Sequence, residues 1–283
     1  MIENWVILAF FAGISSQLFN FLNRFLLKDG DNPISLGWFS EFFKLVISAL
    51  ILIFTFKSNP SLTLPAYFYL LALGLVNILS VYFFFKMHSL TELSLSSIIA
   101  RSRLIWVPIL AFIFLGEILD LNQYLGILIL FIGLSTAVAT KKIFADKGIF
   151  YSFLASVLIA IISIIMKIVT PLASPAQIMI FMALPTVVVL PFFMKKNIQK
   201  IKTEFKTHFC YKVLAFSANL LAMYLMLLAL QTGPVGIITA IYQGMMIFAV
   251  LAGIFLLQEK KNLTQKIIGS LITLIGILLL TLL

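Results

Sequence analysis

The sequence predicts an all-α integral membrane fold of ten transmembrane helices arranged as two inverted five-helix repeats. Three observations lead there: a large apolar excess, ten long apolar runs divided by turn residues, and a segment that recurs half a chain later. Of 283 residues, 62% are hydrophobic and 11% charged, and the mean hydropathy is +1.15. Soluble domains average about 45–50% apolar and 25% charged, and no soluble fold of this length could hide so much apolar surface. A multi-pass protein of the cell (inner) membrane is expected.

Crossing about 30 Å of hydrocarbon takes about 20 apolar residues in a helix, and only helices or closed barrels satisfy their backbone there. The runs are too long for barrel strands. Five spans fall in the first half: Trp5 to Leu27, Ser35 to Phe56, Leu64 to Phe85, Leu93 to Leu115 and Leu121 to Thr140. Five more follow: Gly148 to Val169, Ala173 to Met194, Phe209 to Leu230, Val235 to Leu257 and Leu263 to Leu283. The N-terminus, MIENWVILAFF, lacks a basic region before its apolar run, which reads as retained helix rather than cleaved signal. Turn residues mark the connections at Asp29 to Pro33, Ser58 to Pro60 and Thr232 to Pro234. None of the connections is long enough for a soluble catalytic domain. The longest polar stretch, Lys195 to Lys212, reads as a basic surface loop against headgroups.

The repeat lies in LAFIFLGE (Leu110 to Glu117), which returns as LAGIFLLQE (Leu251 to Glu259). Gly126 and Gly133 are then matched by Gly269 and Gly276 at the same spacing, and upstream Ala12 and Arg24 fall opposite Ala155 and Lys167. The halves divide as 1–140 and 148–283, joined by a linker over 141–147. Because five helices per copy is an odd number, the second copy enters the membrane facing the other way, the arrangement that underlies alternating access.

The segments ending LGE and LQE, each followed by a glycine-spaced helix over about ten spans, resemble the EamA-type members of the drug/metabolite transporter superfamily. The resemblance covers nearly the whole chain. It implies five-plus-five inverted helices around a central cavity and transport driven by a gradient rather than ATP, and it leaves the substrate open.

Orientation is in conflict. The net charge of +10 comes from lysines grouped between apolar runs, a pattern of topology and anionic lipid rather than nucleic acid. With the spans as drawn, Lys141, Lys142, Lys195, Lys196, Lys200, Lys260 and Lys261 lie on one side and Lys57 stands almost alone on the other. The positive-inside rule then puts both termini outside the cytoplasm, whereas the resemblance implies both inside.

Charged residues within spans usually face water or a partner, because burying a charge at the bilayer centre costs about 2.5–3.5 kcal/mol on insertion scales. Glu41 and Lys44 share one helix face, either as a self-neutralising pair or with at least one lining a cavity. Arg101 and Arg103, near the middle of the fourth span, should point to nearly opposite faces. Arg101 shares its face with Ser94 and Ser97 and is assigned to the solute pathway, which leaves Arg103 to form a structural pair with a carboxylate such as Glu41 or to meet a backbone carbonyl. The opposite assignment stays open.

Polar stripes at helical spacing supply the other candidates: Ser16, Asn20 and Asn23; Asn77 and Ser80; Ser156, Ser163 and Lys167; and Thr239, Gln243 and Met246. Tyr242 falls opposite Arg101 when the repeated segments are superposed. The expected substrate-binding set is Asn20, Glu41, Lys44, Asn77, Arg101, Lys167, Tyr242 and Gln243, against the alternative that these residues only join helices by hydrogen bonds. Gly126, Gly133, Gly269 and Gly276 mark close-packing seams, within one molecule or between two copies of a homodimer. Glu117 and Glu259, at helix ends, suit interfacial structural roles better than proton carriage.

Phosphate-loop, HExxH and Cys/His cluster patterns are all missing from the sequence, so neither cofactor nor metal is expected. His88 and His208 stand singly near span ends, and Cys210 is the only cysteine. These observations favour a secondary carrier of a small anionic or zwitterionic metabolite, with membrane lipids around it and a coupling proton or counter-solute as a further partner. A membrane-embedded lipid-handling enzyme and a non-transporting receptor or scaffold are the alternatives.

Overall fold

The computed structural model describes residues 3–28, 33–55, 60–90, 101–138, 148–193, 206–248, 250 and 263–282. Its regular elements are helical throughout. The first half gives α1 (Asn4–Lys28), α2 (Pro33–Phe54), α3 (Leu64–Leu90), α4 (Arg103–Leu115) and α5 (Leu121–Val138). The second gives α6 (Gly148–Val169), α7 (Pro175–Val189) with a 3-10 turn at Leu190–Phe193, α8 (Phe209–Thr232), α9 (Val235–Gly244) and α10 (Leu263–Leu282).

Among the described residues, seven helices are long and apolar enough to cross a membrane: α1, α2, α3, α6, α7 with its 3-10 turn, α8 and α10. The described parts of α4, α5 and α9 are shorter apolar helices. Large apolar side chains such as Ile53, Phe68 and Phe114 stand outward, each about two-thirds exposed (68%, 66% and 67%). A soluble protein rarely tolerates such a surface. Residues 91–100, 139–147, 194–205 and 251–262 lie outside the described residues. With them go Ser94, Ser97, Glu259, the linker 141–147 and the second copy of the repeated segment, and nothing is described of the Arg24 side chain.

Local chemistry explains several boundaries. Ser174 opens α7 with a capping box: its hydroxyl accepts from the Gln177 amide at 3.4 Å while Gln177 Oε1 accepts from the Ser174 amide at 2.8 Å, and Pro175 occupies the first turn. The chain leaves α4 through Gly116, at φ 65, a left-handed conformation that suits a residue without Cβ. Arg101 and Ser102 form a turn ahead of α4, so Arg103 is the first helical residue there rather than a mid-helix one.

Side-chain contacts fix which helix ends lie together. At one end Trp5 packs on Gly233, Gln177 Nε2 donates to Pro60 O at 3.1 Å, and Glu117 accepts from the Val235 amide. At the other end Trp38 Nε1 donates to Val187 O at 2.9 Å, Phe25 meets His208 and Tyr211, Phe83 meets Tyr151, and Gln265 Nε2 donates to Thr136 O at 2.7 Å. We call these the Trp5 end and the Trp38 end. Thus α1 starts at the Trp5 end and α6 at the Trp38 end.

The most extensive helix pairs are α5 with α10, α1 with α8, α3 with α6 and α2 with α7. Exchanging each helix for its counterpart five places on turns α1–α8 into α6–α3 and α4–α6 into α9–α1, and returns α5–α10 and α2–α7 to themselves. Most major packing therefore joins one half to the other. The large apolar core, including Ala9, Val107, Leu119, Val169, Leu230 and Val235, reaches the Trp5 end. A smaller cluster, with Phe19, Leu26, Leu36 and Phe216, binds α1, α2 and α8 towards the Trp38 end.

Candidate functional site

Between the two apolar clusters lies a cavity of about 210 Å³. Ser16, Phe19 and Asn20 come to it from α1, Ser40, Glu41 and Lys44 from α2, and Asn77, Ser80 and Phe84 from α3. Arg103 enters from the start of α4, Asn219 and Met223 from α8, and Tyr242 from α9. Side chains on one face of a helix recur every three to four residues, so Ser16, Phe19 and Asn20, like Glu41 and Lys44, follow directly from helical geometry. Gly13 lets α1 approach α9 here, since a Cβ at that position would stand 2.8 Å from Tyr242 O.

Glu41 and Lys44 are both buried, and Lys44 Nζ donates to Glu41 Oε1 at 2.6 Å. Asn77 Nδ2 lies 3.3 Å from Glu41 Oε2, 3.0 Å from Met182 O and 3.0 Å from Thr186 Oγ1, which ties the pair to α7. Asn219 Nδ2 donates to Ser40 Oγ at 3.1 Å. A buried carboxylate this well held is costly to strip of one partner. Both readings of the pair apply at once: it neutralises itself and it lines the cavity.

The two arginines part, with Arg103 rather than Arg101 at the cavity. Arg101 is 1% exposed and does not line the cavity. It donates to Leu134 O on α5 and, at 2.8 Å, to Met246 Sδ. Arg103 lines the cavity instead, with its guanidinium carbon 5.9 Å from the centre of the Tyr242 ring, within cation–π range. The expected structural pair for Arg103 does not form: Lys44, one turn along the same helix, occupies Glu41, and no carboxylate of the described residues pairs with Arg103. Its Nε has no hydrogen-bond partner. The assignment from sequence leaned on Ser94 and Ser97, which lie outside the described residues.

Lys167 is likewise placed away from the cavity. Its Nζ donates to Leu230 O and Gly233 O, each at 2.8 Å, at the carboxyl end of α8, where a cation meets the negative end of the helix dipole. Glu117 does the complementary thing, accepting from the Val235 amide at 3.0 and 3.2 Å at the amino end of α9. Gln243 is buried but not part of the lining. Among the sequence candidates Asn20, Glu41, Lys44, Asn77 and Tyr242 are brought together, and Arg101, Lys167 and Gln243 are not. Ser40 and Asn219 were missed, although Asn219 is a polar residue in an otherwise apolar run and carries the same signal as Asn77.

Gly126, Gly133, Gly269 and Gly276 meet within one chain, in the seam between α5 and α10. A Cβ on Gly133 would stand 2.7 Å from Thr273 Oγ1 and 2.9 Å from Gly269 O, and one on Gly276 2.9 Å from Gly126 O.

Comparison with known proteins adds three findings. A family model described as the EamA-like transporter family matches twice, over residues 3–139 and 146–282. No curated protein matches the chain. Among solved structures, one described only as the crystal structure of a protein is similar with a TM-score of 0.80 at 13% identity, covering 100% of this chain and 98% of that chain, a likeness of fold alone.

Proposed function

The chain belongs to the EamA-like transporter family, as a multi-pass integral membrane protein with two copies of the family repeat, and from that premise we propose that it carries a small anionic or zwitterionic metabolite by alternating access. On this reading the ten helices are ten spans, residues 1–140 and 148–283 are the two repeats, and the cavity between them is the solute site. The opposite starting ends of α1 and α6, and packing that maps onto itself when the halves are exchanged, support an inverted pair.

The observation that carries the solute's charge is Arg103. Around the cavity one carboxylate, Glu41, faces two cations, Lys44 and Arg103, and Lys44 is already engaged. A solute carboxylate or similar anion on Arg103 would supply the missing charge and accept from its Nε, which has no partner of its own. Phe19, Phe84, Met223 and Tyr242 offer an apolar wall beside it. At about 210 Å³ the cavity falls below the roughly 300–1,000 Å³ of drug-sized sites, which favours a metabolite.

Ligand-induced stabilisation of the purified protein tests this, because a solute that binds only the folded state raises its melting temperature. Organic acids or zwitterionic amino acids should stabilise the wild type and lose that effect in Arg103→Gln. Stabilisation by hydrophobic cations alone would refute the reading.

A further inference from the structure

With Arg103 as the contact for a solute anion, the other polar groups of the cavity narrow the solute's charge further. Glu41 is the one carboxylate among the described lining residues, and both of its oxygens are engaged, Oε1 by Lys44 Nζ at 2.6 Å and Oε2 by Asn77 Nδ2 at 3.3 Å. Asn77 is itself anchored to α7 through Met182 O and Thr186 Oγ1, each at 3.0 Å. All three members of this cluster are buried, so Glu41 turns towards a solute only by breaking contacts that are costly to lose. The rest of the polar lining is different in kind. Ser16 and Asn20 from α1 and Ser80 from α3 are neutral groups that hydrogen-bond a hydroxyl or carbonyl and bring no counter-charge to an ammonium. Glu41, Lys44 and Arg103 therefore leave the described lining with one uncompensated positive charge.

We propose that the site selects a compact monoanion over a zwitterion: a monocarboxylate with an apolar body and a neutral hydroxyl or oxo substituent. The inference rests on the reading of Arg103 as the anion contact. The carboxylate meets Arg103, the apolar body lies against Phe19, Phe84 and Met223, and the neutral substituent finds its partner among the serines and Asn20. A zwitterion brings the same carboxylate together with an ammonium whose desolvation no free carboxylate of the described lining repays. A dianion brings one charge too many, and its second carboxylate would compete with Glu41 for Lys44.

Matched solutes separate charge from shape. Leucine and its hydroxy analogue, like phenylalanine and phenyllactate, share a skeleton and a carboxylate and differ in bearing an ammonium or a hydroxyl. At about pH 7 the amino acid of each pair is a zwitterion and the hydroxy acid a monoanion. Titrated into the purified full-length protein at low salt, each hydroxy acid should bind at least about tenfold more tightly than its amino acid. Asn20→Asp keeps the side chain's size and adds a carboxylate to the lining, so it should lower that ratio by raising the affinity for the amino acid. An amino acid that binds as tightly as its hydroxy acid overturns the inference and leaves the Arg103 reading standing, and so does a ratio unmoved by Asn20→Asp. Binding by neither pair overturns it as well, and if hydrophobic cations bind instead, the reading beneath it falls too.

Discussion

Arg101 and Arg103 stand two residues apart and do different work. Arg101 is fully buried against a carbonyl of α5 and Met246, just beyond α9, whereas Arg103 faces a cavity in which no carboxylate of the described residues pairs with it. Arg103→Gln should weaken anion binding by about tenfold to a hundredfold, the equivalent of one charge-assisted contact of about 1.5–3 kcal/mol, as measured by titration of the purified protein. Arg103→Lys should recover only part of that, because an ammonium lacks the planar fork and stacks poorly on Tyr242. Arg101→Met should leave the ligand affinity unchanged and shift the melting temperature instead, since its bonds join helices. At this scale the sequence marked the charged candidates, because intramembrane charge is rare. It could not say which one met the cavity, because the turn at Arg101–Ser102 is a tertiary fact and the serines used as a guide say nothing of which neighbours surround them.

Among the elements, the α5–α10 seam was the plainest in the sequence, four glycines at a repeated seven-residue spacing, and it forms as a close contact within one chain. Overpacking it with Gly133→Leu should cost about 1–3 kcal/mol of stability, read as a lower melting temperature in detergent. The family-like glutamate after α4 reads as structural in the same way. Glu117→Ala should remove the cap on α9 and cost about 1 kcal/mol, while Glu117→Gln, which still offers an acceptor oxygen, should cost less. Helix existence was legible from apolar run length alone. The described boundaries of α4 and α9 were not, since α4 starts only at Arg103 and α9 gives way to a turn at Met245. The chain past Met245 is as apolar as the chain before it, so hydropathy carries no mark of the α9 break.

For the whole molecule, packing between the halves exceeds packing within them, so the repeats are not separate bodies placed side by side. The cavity is lined by α1, α2, α3 and α4 from the first half and by α8 and α9 from the second, the placing that the proposed solute site between the repeats needs. The repeat was visible in sequence through its glycines and its LGE and LQE segments, yet the interleaved pairing of α1 with α8 and α3 with α6 was not, because sequence similarity between halves reports a common fold and not the surface on which the copies meet. The most direct measurement is uptake by purified protein in liposomes, comparing organic acids, amino acids, phosphorylated metabolites and cationic drugs for the wild type and Arg103→Gln. Saturable uptake of an anionic or zwitterionic solute that falls at least about tenfold in the variant, with both proteins equally inserted, is the expected result. Uptake restricted to hydrophobic cations, or anion uptake undiminished in Arg103→Gln, would contradict it.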